Sequence, residues 1–245
     1  MPDEKSLQRL LELIRQRVGD NQLEIVKKII LAETDDFLQL TRIAGLSPLE
    51  GYAGANLTAA KLAKSDLSGA DLTQTLLIRA DLSAADLSST DCTRANLASA
   101  VLSKAFFISA TLSGANLTSA DASGANFTGA KLLNAVLMGA DLSDANFFCA
   151  DLRYSNFTGA SLNRAKLREA NLISTNFQRA NLTSADLRGA TLFGTNFCGS
   201  ILYRIDFTES ALDSVEVRGA RFRYNLGIPA EQKRSLIRRG AIFED

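Results

Sequence analysis

The 245-residue chain contains no histidine and no tryptophan. Without histidine it lacks the side chain that most often serves as a general base near neutral pH. It has three prolines, Pro2, Pro48 and Pro229, so the long span between the last two carries none. Such a span is expected where backbone N–H groups are needed for pairing throughout. Cysteine is also sparse. Cys92, Cys149 and Cys198 stand far apart, with neither a CxxC pair nor a metal-ligand spacing. No disulfide framework and no metal site follow, and a reducing cytoplasm is the simplest compartment. No apolar run is long enough to cross a bilayer. The opening Met1-Pro2-Asp3-Glu4-Lys5 lacks the basic-then-apolar order of a signal peptide. Neither a phosphate-cradling glycine loop nor a G-x-S-x-G motif occurs. No catalytic residue, cofactor or small-molecule substrate is therefore expected, and the chain reads as a non-enzyme. Net charge is missing as well, with 27 basic and 27 acidic residues overall and 16 of each within 50–224.

What the chain does have is a strict period of five from Ala55 to Tyr224. A large apolar residue, the centre, recurs at 34 positions from 57 to 222 in steps of five; all are Leu or Phe except Cys92, Ala122 and Val217. Two residues earlier stands a small residue, mostly Ala, with lapses at Ile205 and Val215. The residue just before the centre is very often Asp or Asn, as in Ala70-Asp71-Leu72 and Ala180-Asn181-Leu182. A period of five suits neither a helix nor a flat strand. The chain must turn once per unit, so the units wind into a solenoid whose centres and small residues point inward.

A second period, of 20, gives the number of sides. Sorted into four columns, the Phe centres fall in two opposite ones, apart from the terminal Phe222. Phe157, Phe177 and Phe197 are in the first column, and Phe107, Phe127, Phe147 and Phe207 in the third. These rings are expected to form the structural core along two opposed walls. Asn recurs before the centre in the first column, at 56, 96, 116, 156, 176 and 196, which predicts an amide ladder between stacked coils. Asp66, Asp71, Asp81, Asp86 and their equivalents share that register, so they read as turn-bonding residues rather than as paired acids for catalysis.

Tandem A(D/N)LxX units resemble the pentapeptide-repeat proteins, over about 170 residues. The resemblance implies an all-β solenoid, a right-handed quadrilateral β-helix of about eight coils. Residues 1–49 are expected to form a helical N-terminal cap, 50–224 the β-helix, and 225–245 a short closing helix and tail. In the cap, Leu7, Leu10, Leu11, Ile14 and Val18 have helical spacing, and Gly19-Asp20-Asn21 breaks it. The segment from Gly227 to Asp245 resembles the tails of cyanobacterial members. There Leu236, Ile237, Ile242 and Phe243 are expected to cover the last coil, while Lys233, Arg234, Arg238 and Arg239 face water. Closed ends would leave a monomer, and an uncovered end would allow a dimer.

Function must then lie on the outside, where apolar residues are the departures. On the fourth side Leu133, Ile173 and Phe193, with nearby Tyr154, form the expected interaction strip, interrupted by Arg153. Leu76, Ile78, Val136 and Met138 make a second set on the first side, and Phe106, Ile108 and Phe148 a third on the third side. The expectation is a scaffold that binds a protein partner. The resemblance also implies an alternative, because some relatives imitate DNA and inhibit DNA gyrase. Mimicry needs a strongly negative rod, which a neutral repeat does not supply, and no basic stripe for nucleic acid is visible either.

Overall fold

A computed structural model describes residues 52–245. The helices expected in residues 3–46, and the N-terminal cap as a whole, lie outside the described residues.

The five N–H groups of a unit account for the fold. Take the unit centred on Leu57. The N–H of Leu57 donates forward to the carbonyl of Leu76 in the next coil (2.7 Å), and that of the corner residue Ala59 donates to Ile78 (2.7 Å). Leu76, at the bridging position before its own centre, donates back to Ala55 (2.8 Å). The next small residue, Ala60, closes the turn onto the Leu57 carbonyl (3.0 Å). The remaining N–H, on Thr58, is taken by the side chain of Asn56 at 3.1 Å. Each buried donor thus has an acceptor, as a packed backbone requires. Strands shrink to single bridging residues, each paired in parallel with the residue 20 further on, such as Asn56 with Leu76 and Asp71 with Asp91. The result is a four-sided solenoid: coil 1 is residues 55–74, coil 8 is 195–214, and half a coil follows.

Four corners per coil impose a backbone cost. From 54 to 224, every fifth residue has positive φ except Ser214. A closing i→i+3 bond with positive φ at the third turn residue is a type II turn, which favours Gly there. Every glycine between residues 54 and 219 stands at this corner, a register easily mistaken for scatter. Twenty-three corners carry other residues, among them Ala59, Arg79 and Tyr154, each at a cost of roughly 1–2 kcal/mol.

The interior is filled. Leu, Phe and Ala from all four sides are buried throughout. Phe107, Phe127 and Phe147 stack on the third wall at 4.9 and 4.8 Å. Phe157, Phe177 and Phe197 stack on the first wall at 4.9 and 5.5 Å. The two stacks do not run side by side. They hand over at an edge-to-face contact between Phe147 and Phe157, 6.1 Å apart at 85°. A narrow interior admits a ring from one wall only if the opposite wall brings Leu at that level. Buried Ser and Thr at the small position are satisfied by carbonyls, for example Thr175 Oγ1 on Leu152 O (2.8 Å). Tyr52 is also a buried centre, and Ala55 closes a turn on its carbonyl. The repeat therefore extends one unit before Leu57, where Glu50-Gly51 hides it from the consensus.

The predicted amide ladder is largely absent. Each of these Asn carboxamides accepts the N–H two residues on, in its own turn. Asn116 Nδ2 to Asn96 Oδ1, at 3.3 Å, is the one rung among the described residues. The local turn wins because its acceptor geometry is fixed within three residues. The Asp residues at this position do the same, as in Asp71 accepting Thr73 N (2.9 Å).

The C-terminal end departs from the repeat. β1 (Ile201–Tyr203), β2 (Arg221–Arg223) and β3 (Ile242–Phe243) form a three-stranded parallel sheet on the second side. Between β2 and β3 lies α1 (Ala230–Arg238), N-capped by Pro229. Leu236 and Ala241 are buried and Phe243 stacks on Phe222 at 4.8 Å, whereas Ile237 and Ile242 remain about half exposed. Only part of the expected apolar lid is therefore inward. The basic helix is not simply a solvated face either. Lys233 lies 4.8 Å from the Phe243 ring centroid. Arg239 donates to the carbonyls of Leu212, Asp213 and Val215 at 2.8–2.9 Å. These belong to the last fourth-side turn, where the bridge from Thr191 to Ala211 and the usual corner φ are both absent.

Candidate interaction surface

A filled core leaves only outward side chains for function. The structure separates the four residues of the predicted strip. Leu133 and Ile173 are half-buried against the flanking coils. Phe193 is 67% exposed and Tyr154 56% exposed. All four lie on the fourth side. The Tyr154 N–H donates to the Ile173 carbonyl (3.1 Å), and Ser174 to that of Phe193 (2.9 Å). Their coils are therefore continuous, and the strip reduces to two projecting rings on a partly apolar floor. Phe193 stands beside the last fourth-side turn, the point where the ladder opens. Arg153, which interrupts the strip, is folded back on Asp151 through two bonds of 2.8 and 2.7 Å. This guanidinium holds the Asp151 carboxyl below its usual range. The six core rings, Phe107, Phe127, Phe147, Phe157, Phe177 and Phe197, are fully buried and form no part of the surface.

The third side carries a second group. Phe106, Ile108 and Phe148 are 37–44% exposed. Beyond them the side becomes charged, with a shallow hollow of about 520 Å³ lined by Phe148, Lys166, Arg168, Asp186 and Arg188 among others. Arg188 bonds Asp186 through Nε (2.8 Å) and Nη2 and lowers its pKa. Arg164 holds Asp144 in the same way, at 2.7 and 2.6 Å. On the first side Leu76 and Met138 project, while Ile78 and Val136 are half-buried.

Two of the three thiols are harder to ionise than a free cysteine. Burial pushes Cys92 up to about 12. Desolvation and the adjacent Glu169 carboxylate, 3.6 Å from Sγ, raise Cys149. Among the described residues, no cluster of His, Cys, Asp or Glu is placed to hold a metal ion, and no helix is long and apolar enough to cross a membrane.

Known proteins carry the same repeat. The family model described as "Pentapeptide repeats (8 copies)" matches in overlapping blocks from residue 55 to 189. Among solved structures, HetL, a pentapeptide-repeat protein involved in heterocyst differentiation regulation from the cyanobacterium Nostoc sp. strain PCC 7120, is 26% identical. That match covers 80% of this chain and 94% of HetL, with a TM-score of 0.46. A trypsin-treated variant of QnrB1, a plasmid-mediated fluoroquinolone resistance protein, is 19% identical, covers 75% and 91%, and has a TM-score of 0.52. No curated protein matches the chain. With more than half its length matched by the family model, this chain belongs to the pentapeptide-repeat family.

Proposed function

We propose that the protein is a non-catalytic scaffold that binds a protein partner through its fourth side, in a reducing, cytoplasmic setting. The observation that carries this reading is the outward projection of Phe193 and Tyr154 on a rigid wall. Large aromatic anchors of this kind dominate protein interfaces. A packed solenoid holds them at fixed spacing, so little order is lost on binding.

The experiment is a comparison of proteins captured from the source organism's soluble extract by wild type and by Phe193→Ser/Tyr154→Ser. A partner retained by wild type and lost by the variant supports the reading. The same proteins on both, or none on either, overturns it. DNA mimicry draws no support from the charge pattern, since Asp144, Asp151 and Asp186 are each held by an arginine. A supercoiling assay is expected to show no inhibition of gyrase at micromolar protein.

A further inference from the structure

Read along the rod, the third side changes character in an ordered way. Its bridging positions are Asp66 and Asp86 in coils 1 and 2, Phe106 in coil 3, Asn126 in coil 4, Asn146 in coil 5 and Lys166 in coil 6. One position past the centre, Ile108 projects from coil 3, Thr128 from coil 4, Phe148 from coil 5 and Arg168 from coil 6. Coils 1 and 2 of the wall are thus acidic, coils 3 to 5 neutral and partly apolar, and coil 6 basic, while coils 7 and 8 return to Asp186 and Asp206, with Arg188 against both.

We propose that this wall is a self-association surface, on which a second copy of the chain lies antiparallel about a two-fold axis through coil 4. Such an axis, lying in the interface and across the rod, faces coil 3 with coil 5 and coil 2 with coil 6, and keeps like positions opposed. Ile108 then meets Phe148 of the second copy, and Asp86 meets Lys166. Each pair occurs twice. On the axis itself the neutral residues Asn126 and Thr128 meet their own equivalents. The partners are available. Asp86 is partly exposed and uses Oδ1 for the Ser88 N–H (2.9 Å). Lys166 is exposed and makes no ion pair among the described residues. Outermost, Asp66 faces Asp186, whose charge is already matched by Arg188. The parallel arrangement fails on charge, because it sets Lys166 and Arg168 of one copy against those of the other. The inference departs from the monomer expected of closed ends, because a lid says nothing about a side wall.

Seven coils at roughly 4.8 Å give a contact about 30 Å long. One wall of a narrow rod is at the small end of specific interfaces, so the expected dimer is concentration-dependent, with a Kd on the order of tens of micromolar. Sedimentation equilibrium of the full chain is the test. The mass is expected to rise from 26.3 kDa towards twice that value with concentration. Phe148→Lys is expected to weaken association at least about tenfold, as are Asp86→Lys and Lys166→Asp singly. The chain carrying both charge reversals is expected to recover to within about threefold of wild type, because residue 86 of one copy faces residue 166 of the other. Phe148→Lys and Lys166→Asp are surface changes, whereas Asp86→Lys also gives up the acceptor of the Ser88 N–H, so a melting temperature close to wild type is required of each variant to verify the fold. A monomer at every concentration overturns the proposal. A dimer indifferent to Phe148→Lys, or a double reversal that fails to recover, also overturns it, since either places the contact elsewhere.

Discussion

The regular coils and the C-terminal closure solve the same problem differently. Inside the rod, each coil satisfies the backbone of its neighbours, and the same four backbone bonds recur at almost every unit. At the closure the next coil is missing, and individual side chains stand in for it. Arg239 takes three carbonyls of the last fourth-side turn. Glu244 ties β3 to β2 through Arg221 (2.6 Å) and to β1 through Tyr203 (2.8 Å). The Asn225 carboxamide donates to the Leu202 carbonyl at 2.7 Å. The rod is stabilised by repetition, in which one outward residue is replaceable. The closure is stabilised by particular residues.

The largest expected effect breaks the repetition itself. Leu142→Asp places a carboxylate in a fully buried column, and a loss of more than about 4 kcal/mol is expected because no partner is within the core. A thermal melt unchanged from wild type would show that residue 142 is not inward. Next come two glycines with similar φ. A Cβ at Gly227 would lie 2.4 Å from the Thr208 backbone nitrogen, whereas at Gly159 it would meet nothing within 4 Å. Gly227→Ala is expected to cost roughly 2–4 kcal/mol and Gly159→Ala about 1 kcal/mol, by urea titration. Equal costs would erase the distinction between closure and rod. Arg239→Ala is expected to cost about 1–3 kcal/mol. Hydrogen exchange should quicken at residues 211–217 and in α1 while coils 1–6 stay protected, and a uniform change would refute a local role.

The smallest effect concerns pH. Arg188 lowers the Asp186 pKa in the folded chain. A carboxylate depressed by folding adds stability above its unfolded pKa, and loses it as pH falls through the ordinary carboxylate range to the folded value. Both groups are partly exposed, so solvent screening keeps the contribution small. Arg188→Ala is expected to lower stability slightly at neutral pH and to converge with wild type as pH falls below the ordinary carboxylate range, so that its profile is flatter between about pH 4 and the depressed value.

The periods of five and 20 made most of the rod legible. Inward Leu, Phe and Ala follow directly from them, as does the four-sided pairing. What escaped was any role set by competition between neighbours. The Asn residues could serve either the next coil or their own turn, and the turn prevailed at almost every position. The glycines looked dispersed because 23 corners are filled by other residues, from Ala and Ser to Arg and Tyr. Arg239 could not be told from Arg238 by charge, since only the exit of α1 decides which guanidinium points into the last coil. At the surface, neighbouring positions on one wall differ in exposure. Phe193 and Tyr154 project, but Leu133 and Ile173, in the same column or beside it, sink between flanking coils.

The Phe147–Phe157 handover shows how the molecule keeps phase. The two stacks are offset by ten residues, half a turn, yet nothing inward is disturbed, because every unit presents the same small-residue and centre pattern to the axis. A deletion of 20 residues would therefore shorten the rod and return each surface column to itself. A deletion of five would also leave every centre inside. It would, however, carry all downstream outward residues a quarter-turn around the axis, moving Phe193 from the fourth side to the third and Lys166 from the third to the second. The core of this protein tolerates frameshifts of five that its surface does not, so any function written on a wall is protected only against changes that are multiples of four units.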